Sequence, residues 1–270
     1  MHKTISYYNF YITMLAQLQI MGDDLVSTYK TSGIVIKVQD FKENDKLVYI
    51  FTEKLGKIKA IAKGSKRNRS SLLTPTMQLC FGEYVIFKGK NLYTINEAKV
   101  INSFGSLLND LEKLTYSTYI CELIDIAVVE EESNASLFKD FTTCLYLLST
   151  GAINYEILIR AFEIRLLKYT GYDLELEHCS ICKKKISTSN YINLTYGGGV
   201  CDECEKMDSV FLSKASFNSL KFLSTTSFEK LYRLTLSENI RKELYKILTT
   251  MISLNYARTP KSLQMLEFIK

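Results

Sequence analysis

Two C-x-x-C pairs, Cys179/Cys182 and Cys201/Cys204, stand 18 residues apart in CSICKKKISTSNYINLTYGGGVCDEC. Each pair sets two thiols on one tight turn. Two such turns can aim four sulfurs at a single point, the ligand set of a tetrahedral zinc site. Gly197, Gly198 and Gly199 allow a sharp turn into the second pair, and Lys183, Lys184 and Lys185 stand where cations can offset thiolate charge. Zinc is the expected ion, with iron in a rubredoxin-like site as the alternative. Catalytic zinc keeps one coordination position open, and four thiolates fill all of them. His178 adjoins Cys179 and reads as a surface or ligand-supporting residue; the other histidine is His2. The metal is therefore expected to be structural, and the working surface lies elsewhere.

The remaining cysteines, Cys80, Cys121 and Cys144, sit alone in apolar surroundings and read as core. An odd count of 7 without a secretory signal points to a reducing compartment, and so to the cytoplasm. The N-terminal MHKTISYYNFYITMLAQLQIMG is apolar and aromatic, but Asn9 and Gln17 interrupt it and no small-residue cleavage site follows. It reads as an extension, with Met21 as an alternative start, rather than as a signal peptide or anchor. No other stretch is long and apolar enough to span a bilayer.

Positive charge is concentrated. Thr31 to Phe104 carries 13 Lys and Arg against 6 acids, a balance of +7, so in a chain of net charge +5 the remainder sums to −2. The same segment reads as strands: GIVIKVQDF, KLVYIFTEK, GKIKAIAKG, QLCFGEYVIFKGK and LYTINEAKV. In the third, Ile58, Ala60 and Ala62 alternate with Lys57, Lys59, Ile61 and Lys63, which predicts one half-buried face and one mostly cationic face. Five short strands in about 70 residues suit a small barrel of the OB type, with an SH3-like barrel as runner-up.

After Phe104 the period changes to 3–4. Leu107, Leu108, Leu111, Leu114, Tyr119, Leu123 and Ile126 predict one long amphipathic helix. SLFKDFTTCLYLLST, NYEILIRAFEIRLLKYTG, SKASFNSLKFLS and ENIRKELYKILTTMISLNYA predict further helices, the second of these with Asn154 as N-cap and Gly171 just past its end. The expected fold is α+β and multidomain. Residues 1–27 form an extension, 28–104 a five-stranded OB-type barrel, and 105–270 a helical domain with the zinc module at 179–204.

The best candidate surface is the basic face of the barrel, above all AIAKGSKRNRSS. Lys63, Lys66, Arg67 and Arg69 cluster around Gly64, and nearby serines can donate to phosphate oxygens. Lys57 and Lys59 continue the charge onto the strand, and Lys88 and Lys90 add to it. This pattern fits a phosphodiester backbone, against the alternative of a solvated loop. Tyr84, Phe87 and Tyr93 are candidates for base stacking, core packing being the other fate of strand aromatics. No G-x-x-x-x-G-K-[ST], G-x-S-x-G or H-E-x-x-H motif occurs, and Glu130-Glu131-Glu132 reads as a solvated helix end.

These residues resemble a known family. GIVIKVQDFKENDKLVYIFTEKLGKIKAIAKGSKRNRSS is similar to the N-terminal barrel of RecO-family bacterial recombination mediators, with Glu43, Phe51-Thr52, Gly56 and Lys63-Gly64-Ser65-Lys66-Arg67 at the matching features. LLKYTGYDLELEHCSIC and GGGVCDEC resemble the family's Gly-Tyr, Cys-x-x-Cys and Gly-Gly-x-x-Cys-x-x-Cys module, and NYARTPKSLQML resembles its end. The likeness covers roughly residues 28–270. It implies an OB barrel, a zinc-bearing helical domain and no catalysis. It implies binding of single- and double-stranded DNA and annealing of complementary strands at the nucleoid. It further implies cooperation with RecR, binding of the acidic tail of single-stranded-DNA-binding protein, and indirect loading of RecA. The competing expectations are a zinc-ribbon nuclease or RNA-modifying enzyme, and an OB-fold transcription or translation accessory factor.

Overall fold

The computed structural model describes residues 27–269. The expected N-terminal extension, residues 1–27 with His2, lies outside the described residues except for Ser27. Five strands, β1 (Thr28–Phe41), β2 (Asp45–Thr52), β3 (Gly56–Ala62), β4 (Phe81–Lys88) and β5 (Tyr93–Asn102), close into a barrel of order β1-β2-β3-β5-β4. Only β3 and β5 pair in parallel, so this is the OB arrangement. The inward side chains follow the period of two: Val48 and Ile50 from β2, Ile58, Ala60 and Ala62 from β3, Tyr84 and Ile86 from β4.

β1 serves two cores. Val35 packs inside the barrel, while Ile34 and Ile36 belong to the apolar cluster of the helices outside it. A register shift between Val35 and Lys37 lets Ile36 and Lys37 both face outward.

The helical part comprises α1 (Gly105–Leu108), α2 (Leu111–Ala127), α3 (Ala135–Thr150), α4 (Tyr155–Tyr169), α5 (Lys214–Thr225), a 3-10 turn (Phe228–Arg233), α6 (Glu238–Tyr256) and α7 (Ser262–Ile269). The single long helix expected after Phe104 is broken. Asp110 adopts an extended backbone and its carboxylate accepts the Lys113 N–H, so α2 starts afresh there. Asn134, Asn154, Ser213 and Ser237 cap α3, α4, α5 and α6 in the same way. α4 ends in a Schellman motif, with Gly171 N–H donating to the Lys168 carbonyl and Tyr172 N–H to that of Leu167.

α4 is the central helix, buried from Ile157 to Ile164 and again at Leu166 and Leu167. It carries a buried ion pair, Arg160 to Glu163 at 2.7 Å, and the Tyr119 hydroxyl donates to the same carboxylate oxygen at 2.6 Å. α7 returns to α2, where Glu122 accepts the Ser262 N–H and hydroxyl at 2.9 and 2.8 Å.

Barrel and helices share one apolar cluster. Phe51 leaves the outer face of β2 and meets Phe138 and Phe141 of α3 edge-on at 5.7 and 5.8 Å. Lys57 is drawn into the same seam. It is 6% exposed, donates to the Asp125 carbonyl of α2, and has the Asp125 carboxylate 3.6 Å away. Burial pulls the pKa of its ammonium down, and Asp125 and Glu130 work against that pull. The expected cationic face therefore excludes Lys57: the strand's outer side faces α2 at that level.

Phe51→Ala should cost about 3–5 kcal/mol of stability, the range for a buried aromatic. Tyr49→Ala, two residues away on the same face but only half-buried, should cost under about 1 kcal/mol. Equilibrium urea unfolding of the two variants checks the order.

Candidate metal centre and nucleic-acid interface

The cysteine module is built on three short strands, β6 (Tyr191–Asn193), β7 (Gly198–Gly199) and β8 (Ser209–Phe211), in the order β7-β6-β8. Two turns hold the thiols. In the first, Lys183 N–H donates to the Cys179 carbonyl and Cys179 N–H to that of Lys184, with Lys183 in the left-handed region at φ 61°. In the second, Cys204 N–H donates to the Cys201 carbonyl at 3.4 Å. The four sulfurs lie within 4.8 Å of one another, with Cys179 to Cys204 at 3.9 Å and Cys182 to Cys201 at 3.7 Å. A dication held about 2.3 Å from four sulfurs sets them about 3.8 Å apart. The donor set and its spacing fit a closed tetrahedral site.

Charge supports the same conclusion. Burial works to raise the Cys179 thiol, but backbone N–H groups of Cys201, Cys182 and Ile181 outweigh it and bring its pKa down to about 6. The Cys204 thiol is pushed up to about 12, first by hydrogen bonding with Cys182 and Cys201. Four crowded thiols cannot all ionise by themselves, and a central cation removes the conflict.

The glycines before the second pair differ from expectation. Only Gly197 is in a turn conformation, at φ 64°. Gly198 and Gly199 form β7, and a Cβ on either would press on Glu175 and Ser180, or on Ile186 and Phe217. Among the lysines after the first pair, Lys184 has its pKa raised first by Glu203 and also by the nearby Cys201 and Cys182, as expected of a cation that offsets thiolate charge. Lys183 donates to the Ser180 carbonyl at 3.2 Å, and Lys184 pairs with Glu203 at 2.6 Å. Lys206, unmarked by any motif, braces the second turn: it donates to the carbonyls of Cys201 and Cys204 and lies 5.5 Å over the Tyr191 ring. His178 turns toward Glu175, 3.6 Å from its carboxylate, and is half exposed.

The barrel's eight candidate cations divide into two groups. Lys57 is buried against Asp125, Lys59 pairs with Glu130 at 2.6 Å, Lys66 with Asp40 at 2.7 Å, and Lys88 with Glu131 at 2.7 Å. Lys63, Arg67, Arg69 and Lys90 are exposed and meet no carboxylate among the described residues. Glu130 and Glu131 are therefore not a solvated helix end; they sit on the barrel.

The loop after β3 is held in place rather than free. Gly64 N–H donates to the Asp45 carboxylate at 2.8 Å and Lys66 N–H to the Asn44 carbonyl at 3.1 Å. Ser65 is buried and donates to the Ala62 carbonyl, so it does not match the expected phosphate donor; Ser70 accepts the Leu72 N–H and keeps its own O–H for donation.

The stacking candidates are also redistributed. Tyr84 is fully buried, its hydroxyl donating to the Pro75 carbonyl at 2.8 Å, and Tyr93 is buried too. Tyr49 is an aromatic on the outer face of β2 that stays half-exposed. It lies in register between Lys37 and Lys59, whose ammonium groups stand 4.9 and 5.7 Å from its ring. The alternation Val48-in, Tyr49-out, Ile50-in is the sequence signal that marks it.

Protein purified without chelator should contain one metal ion per chain by elemental analysis. Cys182→Ser should lose it and lower the melting temperature, because a structural metal is coupled to folding. Acidification should release the metal, since protons compete for the thiolates.

Residues 26–104 match the family described as recombination protein O, N terminal, and residues 108–264 match recombination protein O, C terminal. DNA repair protein RecO of Clostridium perfringens (strain 13 / Type A) is 56% identical over 241 residues, covering 89% of this chain and 98% of that protein. The protein of that name in Clostridium kluyveri is 51% identical over 92% of this chain and 96% of its own length. That of Acetivibrio thermocellus is 34% identical over 89% and 96%. With an OB barrel, a helical part bearing four converging cysteines, and these matches along nearly all of the described residues, the chain belongs to the RecO family of DNA repair proteins.

Proposed function

We propose that this chain is a non-catalytic DNA-binding mediator of recombinational repair, acting in the cytoplasm at the nucleoid. On this reading it binds single- and double-stranded DNA, anneals complementary single strands, and helps place the RecA recombinase on strands covered by single-stranded-DNA-binding protein. RecR and the acidic tail of single-stranded-DNA-binding protein are its protein partners. The observation that carries the reading is the exposed set Lys63, Arg67 and Arg69, beside the Tyr49 face of an OB barrel, in a chain of this family. OB barrels take oligonucleotides across strands two and three and the adjoining loops. Cations track the backbone there while rings accept bases, without a base-edge code.

The ion in the cysteine module is zinc on this reading, with a structural role. Cys179, Cys182, Cys201 and Cys204 would hold it, and it would supply a fixed crosslink between the two turns and no open coordination position. Annealing of complementary oligonucleotides coated with single-stranded-DNA-binding protein tests the function as a whole. No acceleration over the uncatalysed rate would overturn it, and metal-dependent cleavage of labelled strands would favour a nuclease instead.

Lys63→Ala/Arg67→Ala/Arg69→Ala should make the log–log salt slope for single strands shallower by up to about 2, at about 0.7 for each lost contact. Affinity should fall alike for unrelated sequences, since phosphate contacts carry no base information. Lys66, already held by Asp40, should add less than any of the three. Fluorescence anisotropy across a sodium chloride series measures both quantities.

A further inference from the structure

β3 is paired with β2 along its whole length, from Gly56 to Ala62, but its parallel pairing with β5 involves only Ala60 and Ile61. The segment after α2 lies along the edge that β5 leaves open. Glu130 bridges Lys57 in parallel register, and Glu131 N–H donates to the Lys57 carbonyl at 3.0 Å. Gly56 makes room for it, since a Cβ there would run into the Glu132 carbonyl. The two carboxylates then reach in different directions, Glu130 to Lys59 on β3 and Glu131 to Lys88 at the end of β4.

The four charged side chains are 37 to 49% exposed. Ion pairs this open to water are weak, and salt screens them. Lys57, directly beneath, is buried and belongs to the packed seam. An incoming polyanion can therefore replace the two carboxylates without unpacking the core, whereas it cannot reach Lys57.

Resting on the nucleic-acid reading above, we propose that Glu130 and Glu131 form an acidic strap that competes with the phosphodiester backbone for Lys59 and Lys88. DNA engages Lys63, Arg67 and Arg69 first. It gains the half of the barrel nearest the helices only by displacing the strap. The strap thus limits the length of strand held at rest and keeps the salt dependence of binding shallower than the barrel's cations alone would give.

The test uses the full chain and a labelled oligothymidylate titrated across a sodium chloride series. Glu130→Gln/Glu131→Gln keeps side-chain shape and the backbone pairing. It should tighten binding by about 2- to 30-fold, the equivalent of two freed exposed ion pairs. The salt slope should steepen by up to about 1.4, for two contacts at about 0.7 each. Adding Lys59→Ala/Lys88→Ala to this variant should abolish the gain. Single Glu131→Gln reads one of the two contacts if the double variant melts early.

A gain that persists without Lys59 and Lys88 would overturn the strap, because it would reflect only a less negative surface. Unchanged affinity and slope in the glutamine variants, with the Lys63/Arg67/Arg69 variant still weakened, would overturn the strap and leave the barrel reading intact. Full affinity in the Lys63/Arg67/Arg69 variant would overturn the barrel reading and the strap with it.

Discussion

Burial of Phe51 between Phe138 and Phe141 is the contact on which the rest of the molecule depends. A barrel strand normally turns one row of side chains inward and leaves the other to water. Here the outer row of β2 sinks into a helical core at one end and emerges half-exposed at Tyr49 and Leu47. The helices thereby decide which outer residues remain accessible. They take Ile34, Ile36, Phe51 and Lys57, and leave the end bearing Lys63, Arg67 and Arg69 in solvent.

That dependence explains what could be read from the residues alone. The five strands, the main helices and the four-cysteine cluster follow from local rules: a period of two, a period of 3.6 with side-chain caps, and paired thiols on turns. Tyr84 was legible in principle, because it shares the inward parity of Ile86. Lys57 was not. Its parity matches Lys59 and Lys63, all facing outward, but outward means solvent at Lys63 and the underside of α2 at Lys57. Strand period reports the side of the sheet, not what covers that side. For the same reason Glu130 and Glu131 read as a hydrated helix end, since 70 residues of chain separate Glu130 from its partner Lys59.

The cysteine module shows the opposite balance. Its ligands were legible from spacing, whereas its scaffold was not, because strands of two or three residues leave no periodic trace. Lys206 carries no motif, and its role at two carbonyls of the second turn exists only once that turn is formed. Spacing identifies the groups that meet; the groups that steady them are chosen by the folded backbone.

The irregularity in β1 between Val35 and Lys37 has a geometric consequence for anything laid on the barrel. Ile36, fixed in the helical core, and Lys37, beside Tyr49, are consecutive residues of one paired strand. No linker intervenes between the part that anchors and the part that presents. On the proposed reading, the bearing of a nucleic-acid strand relative to the helices would be set by backbone pleat and hydrogen bonds rather than by a hinge. A molecule of this design would deliver a bound strand to a partner on its helical side at a fixed angle.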